Sequence, residues 1–177
     1  MVAWCFGMRD SYQDKLDELK MRMIDWEQGC PKRIHHFLKV SSFAEAIACG
    51  EQVDEHTRFL LAALGLIHDI GIKIAYEKHG KCTGKLQEQY GETAAKELLL
   101  DIGFAREDAE RISLIVGKHH TYDADIQGLD FRILLEADAC VNMYEEDPVD
   151  QVREAMLKNV FQTETGKQIY RKMFGMM

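Results

Sequence analysis

Phe59-Leu60-Leu61-Ala62-Ala63-Leu64-Gly65-Leu66-Ile67-His68-Asp69 is the stretch on which the reading of this chain turns. Its first nine residues are apolar around the whole circumference of a helix, the pattern of a central helix enclosed by others. It then stops on an imidazole and a carboxylate. A carboxylate beside such a core needs a cation, a hydrogen-bond network or water. The helix C-terminus near Gly71 adds partial negative charge, which also favours a cation. An isolated His-Asp pair at a helix end usually reaches solvent, so the remaining sequence has to supply the argument.

Outward from this stretch the chain reads as helical throughout. Ser11 to Glu27 is an amphipathic helix with Leu16, Leu19, Met23 and Trp26 inward, ending at Gly29-Cys30. Pro31 suits the first turn of a second helix running to about Gly50. Asp54 is placed to cap the third, which continues to the His-Asp pair. Ile70 to Gly84 has little periodicity and reads as a loop. Further helices are expected over Lys85–Asp101, Glu107–Lys118 and Asp130–Glu145, with two shorter ones after Pro148 and Thr163. No alternating strand pattern and no repeat is apparent. The expectation is an all-α, compact, single-domain fold over residues 1–177, with its motif-bearing core at about 31–146.

Composition narrows the function. The chain of 177 residues is 46% hydrophobic with two prolines, a globular profile. A net charge of −8 argues against general nucleic-acid binding, though not against a small anionic substrate held by a metal and local cations. The five cysteines (Cys5, Cys30, Cys49, Cys82, Cys140) have no CxxC spacing, and reduced thiols in a cytoplasm fit them best. Met1 to Asp10 lacks the basic region and apolar segment of a signal peptide, and no apolar run looks long enough to span a membrane.

Polar residues fall on apolar stripes. His36, Val40, Phe43, Ala44 and Ile47 share one face of the second helix, so His36 points inward and His35 lies on a more polar flank. Asp138 shares a face with Leu134, Leu135 and Val141, and His119 with Ile112, Ile115 and Val116. His120, one residue on, should point about 100° away and be peripheral unless the helix ends there. Imidazole and carboxylate together suit Mn, Fe, Co, Zn or Mg.

His36, then His68-Asp69, then Asp138 resembles the H…HD…D signature of the HD-domain metal-dependent phosphohydrolases. The flanks are similar too: His36-Phe37-Leu38-Lys39-Val40, Leu66-Ile67-His68-Asp69-Ile70-Gly71 and Leu135-Glu136-Ala137-Asp138. The resemblance implies a helical HD fold with a metal in a central cleft and His36, His68, Asp69 and Asp138 as its ligands. Members that bind two metals usually carry a further histidine on the next helix, commonly before a glycine. Tyr90-Gly91 stands at the similar position here, and His79-Gly80 is close to Asp69 in sequence. His119-His120 resembles the later histidines of such members, so one tightly held ion is favoured, with a second site at His119 and His120 incomplete. Many relatives have lysine or glutamate three residues after the HD aspartate. Ile72 stands there, with Lys73 one residue later, so no catalytic role transfers to Lys73.

The implied reaction is metal-assisted hydrolysis of a phosphate ester on a nucleotide or other small phosphorylated metabolite, with Asp69 as both ligand and acceptor for a water proton. Arg33, Lys73 and Lys118 are candidate phosphate-binding cations, although a solvated surface charge is the commoner role for each. Glu88 and Glu92 read equally well as supporting groups or as exposed helix residues. Some relatives of this fold are iron-dependent oxygenases; Tyr90 counts against that alternative and His119-His120 keeps it open. The third alternative is a non-catalytic metal-binding regulatory module, against which an intact ligand set argues.

Overall fold

A computed structural model describes residues 11–121 and 128–176. Cys5 and the leader argument from Met1 to Asp10 lie outside the described residues. Nine helices and no strands are found among those described: α1 (Tyr12–Trp26), α2 (Pro31–Gly50), α3 (Glu55–Ile67), α4 (Gly71–His79), α5 (Gly84–Ile102), α6 (Arg106–Val116), α7 (Leu129–Glu145), α8 (Asp150–Asn159) and α9 (Glu164–Phe174). The fold is all-α, as the periodicity predicts.

Several helix starts have a local cause. Ser11 caps α1 by accepting from the Asp14 amide, Asp54 caps α3 from Thr57, and Thr83 caps α5 from Leu86. Pro31 opens α2. The central α3 is buried along every residue from Phe59 to Ile67, with α1, α2, α6 and α7 packed around it. Gly65 permits the closest of these approaches: a Cβ there would lie 2.4 Å from Ser41 Cα and 2.6 Å from Ser41 N. The Ser41 hydroxyl donates to the Ala62 carbonyl at the same crossing (2.9 Å).

Two expectations are corrected. Residues 71–79 form a helix where a loop was expected. Its buried positions are Gly71 and Ala75, which carry almost no hydrophobic signal. They lie against α5, where a Gly71 Cβ would stand 2.2 Å from the Gln87 carbonyl oxygen. With α4 almost continuous with α3, residues 55–79 also reach 25 residues in length and contain an 18-residue window of mean hydropathy 1.6, enough by length and composition to cross a membrane. The apolar window is 72% buried within the protein, as befits a core helix.

One hydrophobic cluster joins α1 to α7; a second lies between α7 and α9, where Cys140 and Met143 meet Phe161 and Tyr170. Burial pushes the Cys140 thiol up to about 12, consistent with its reading as a small core residue. Glu136 ties the two regions together. Its carboxylate accepts from the amides of Gln162 (2.6 Å) and Thr163 (2.8 Å) and from the Thr163 hydroxyl, at the start of α9. Glu136→Ala should therefore cost about 3 kcal/mol in urea unfolding, since buried donors lose a charged acceptor. The same variant should bind metal normally, because Glu136 faces α9.

Candidate metal centre

His36 from α2, His68-Asp69 after α3 and Asp138 from α7 converge at one point. His36 Nε2 lies 3.3 Å from His68 Nε2, 3.6 Å from Asp69 Oδ2 and 3.2 Å from Asp138 Oδ1. His68 Nε2 is 3.4 Å from Asp69 Oδ1 and 3.5 Å from Asp138 Oδ1. With bonds of about 2.1 Å, neighbouring donors around a divalent ion stand about 3.0 Å apart in an octahedral site and about 3.4 Å apart in a tetrahedral one. The separations bracket the second value, so the cluster could hold a metal ion.

The outer atoms favour the same use. His68 Nδ1 donates to the Gly65 carbonyl (3.0 Å), which turns Nε2 inward. His36 Nδ1 donates to Glu145 (3.3 Å), itself held by Lys39 (2.7 Å). Asn142 donates to Asp138 Oδ2 (2.9 Å), leaving Oδ1 to the cluster. Such partners fix ring tautomer and carboxylate orientation around metals. The histidines are enclosed, whereas the Asp69 and Asp138 side chains are 21% and 18% exposed, so the carboxylate side is open to a ligand. His35, by contrast, is exposed.

Charge balance points to a cation. Burial alone would lower the His68 pKa, but Asp69 and Asp138 outweigh it and push it up to about 9. Burial would raise both aspartates; their histidine neighbours instead hold each carboxyl well below the usual carboxylate range. Protons on imidazole balance the carboxylates here. A divalent ion would supply that charge with the rings neutral, so its binding would release protons.

A second group lies alongside. His119 Nε2 is 3.6 Å from Asp69 Oδ1, and its Nδ1 donates to the Val116 carbonyl (2.9 Å). His119 therefore faces the cleft, although it lies past the end of α6. His120 is less peripheral than expected: its ring lies 4.1 Å from that of His119, and Asp69, His119 and His120 can together offer donor atoms within 4.8 Å of one another. The helical rotation does not apply, because α6 ends at Val116 and residues 117–120 form a turn.

Three supporting residues escaped the sequence reading. Gln87, buried on α5, donates to Asp69 Oδ1 and lies 3.1 Å from His119 Nε2. Its signal was present: Gln87, Gly91, Ala95 and Leu99 form a four-residue-spaced buried stripe. Asn142 and Glu145 likewise follow Asp138 at helical spacing. Tyr90 lies away from the cluster, bonded to His79 (2.8 Å). Glu88 accepts from the His120 amide and the Thr121 hydroxyl, whereas Glu92 is exposed.

Two of the candidate cations are tied to the end of α1. Arg33 pairs with buried Glu27 (2.6 Å), and Lys73 donates to the Trp26 carbonyl (2.7 Å). Lys118 is exposed and lines a cavity of about 620 Å³ with His120 and Lys85.

The family model for the HD domain matches residues 33–143, which include all four residues of the cluster. The chain belongs to the HD-domain family. A solved HD-family structure, a predicted HD superfamily hydrolase from an uncultured Thermotogales bacterium, is similar at a TM-score of 0.63 and 21% identity. The match covers 92% of this chain and 84% of that one. No curated protein matches the sequence.

Proposed function

We propose that this HD-domain protein is a metal-dependent phosphohydrolase that cleaves a phosphate ester of a nucleotide or another small phosphorylated metabolite. The observation that carries the reading is the cluster of His36, His68, Asp69 and Asp138, enclosed on its imidazole side and open on its carboxylate side. A divalent ion bound there would polarise a phosphoryl oxygen and make water nucleophilic near neutral pH. With an ion bound, His36 and His68 would serve as neutral nitrogen donors, oriented by Glu145 and the Gly65 carbonyl. Asp138 is anchored by Asn142. Asp69 serves as a ligand and as the nearest carboxylate to receive a water proton.

Lys118, which makes no ion pair among the described residues, is the best placed of the candidate cations to meet substrate phosphate beside His120. Arg33 and Lys73 would have to leave Glu27 and Trp26 to do so. The Thermotogales protein of the same fold is described as a predicted hydrolase, which supports the reaction class.

The test is anaerobic hydrolysis of p-nitrophenyl phosphate and a nucleoside monophosphate panel with Mn, Co or Mg supplied. Phosphate release that stops on chelation and returns with metal is the expected result. Turnover that requires ferrous iron and dioxygen would replace this reading with an oxygenase.

A further inference from the structure

The carboxamide of Gln87 lies between two acceptors that a second ion would have to use. His119 Nδ1 donates to the Val116 carbonyl, so in the neutral ring, the form that binds a metal, Nε2 is an acceptor. Asp69 Oδ1, on the other side, is a carboxylate oxygen. The Gln87 Nε2 lies 3.1 Å from the first and donates to the second, so one NH₂ group satisfies both with its two hydrogens. The reversed amide would set an oxygen against two acceptors, which fixes the orientation. The Gln87 carbonyl oxygen in turn meets the Cys82 thiol (3.9 Å).

We infer that Gln87 limits this centre to one metal ion, by filling with a neutral donor the space between Asp69 and His119 where a bridged second ion would sit. The inference rests on the reading that His36, His68, Asp69 and Asp138 hold an ion. Paired ions sharing a ligand stand about 4 Å apart, and a carboxylate that bridges them through both oxygens presents one to each. Asp69 Oδ1 is the oxygen facing His119, and the amide occupies it. An amide nitrogen has no lone pair to offer a metal, so the group that fills the position cannot itself become a ligand through that atom. His119 and His120 are left as hydrogen-bonding and substrate-facing groups. Gln87 is therefore a residue that sets metal stoichiometry. It also disfavours two-iron oxygen chemistry.

A substitution that keeps the reach but supplies a lone pair should reverse the exclusion. Gln87→His and Gln87→Glu each place a metal donor beside Asp69 and His119. The experiment is metal content per chain after loading with Mn and desalting, together with the electron paramagnetic resonance spectrum of the bound Mn. Wild type should hold one Mn with the six-line signal of an isolated ion, unchanged in His119→Ala. Gln87→His or Gln87→Glu should hold two and show the broadened signal of a coupled pair, lost again when His119→Ala is added. Two ions in wild type, or one that departs with His119→Ala, would overturn the inference while leaving metal-assisted hydrolysis standing. So would both Gln87 variants remaining at one ion with wild-type helicity. No retained ion in wild type would instead remove the metal reading on which both rest.

Discussion

Asp138→Ala and His36→Ala should each weaken divalent-metal binding by more than about 100-fold and remove phosphate release with it. Loss of an outer hydrogen-bond partner alone costs about 10–100-fold in metal sites, and these substitutions delete a donor to the ion itself. Both side chains sit at the meeting of α2, α3 and α7, yet neither carries the packing. Phe37, Val40 and Ala44 hold α2 in the core, and Ile133, Leu134 and Ala137 hold α7. Helicity should therefore be retained; Asp138→Ala also removes one of the two carboxylates that repel each other in the cluster. His35→Ala is the control: its ring is exposed, and titration calorimetry with Mn should give the wild-type affinity. Equal loss in His35→Ala and His36→Ala would contradict the inward placement of His36.

Gly65→Ala should destabilise the fold by about 3 kcal/mol, at the upper end of ordinary overpacking costs. The methyl would meet the Ser41 backbone at 2.4 Å, and backbone cannot rotate away as a side-chain tip can. In a chain of this size that amounts to a Tm lower by roughly 6–12 °C. α2 has to move off α3, and His36 moves with it relative to His68, so metal affinity should fall in the same variant. Gly103→Ala separates the two effects. Gly103 has φ +96° and nothing within 4 Å of an added Cβ, so the substitution strains only a helix cap, at about 1 kcal/mol. Thermal unfolding and Mn titration of the pair should show Gly65→Ala changing both quantities and Gly103→Ala changing stability alone.

Where large apolar residues carried the packing, the sequence was sufficient. The wholly apolar face of Phe59–Ile67 marked the central helix, and the stripe through His36 distinguished it from His35. α4 was missed because it packs through Gly71 and Ala75, whose contribution is closeness of approach and leaves no trace in hydrophobic periodicity. For His120 the proviso decided: α6 has already ended at Val116, so its placement does not follow the helical rotation. Gln87 was overlooked in favour of Tyr90-Gly91, a position chosen by likeness to relatives. The α5 stripe of Gln87, Gly91, Ala95 and Leu99 would have selected it on the same grounds that selected His36. The cations Arg33 and Lys73 illustrate a different limit: their partners Glu27 and Trp26 come from the end of α1, a contact that spacing along one helix does not reveal.

The most direct test of the metal centre is anomalous diffraction from crystals grown with Mn, measured at a wavelength where Mn scatters anomalously. The account predicts one strong peak per chain, about 2.0–2.4 Å from His36 Nε2, His68 Nε2 and a carboxylate oxygen of each of Asp69 and Asp138. A peak elsewhere, or none at these atoms in crystals of protein shown to retain Mn, would contradict it.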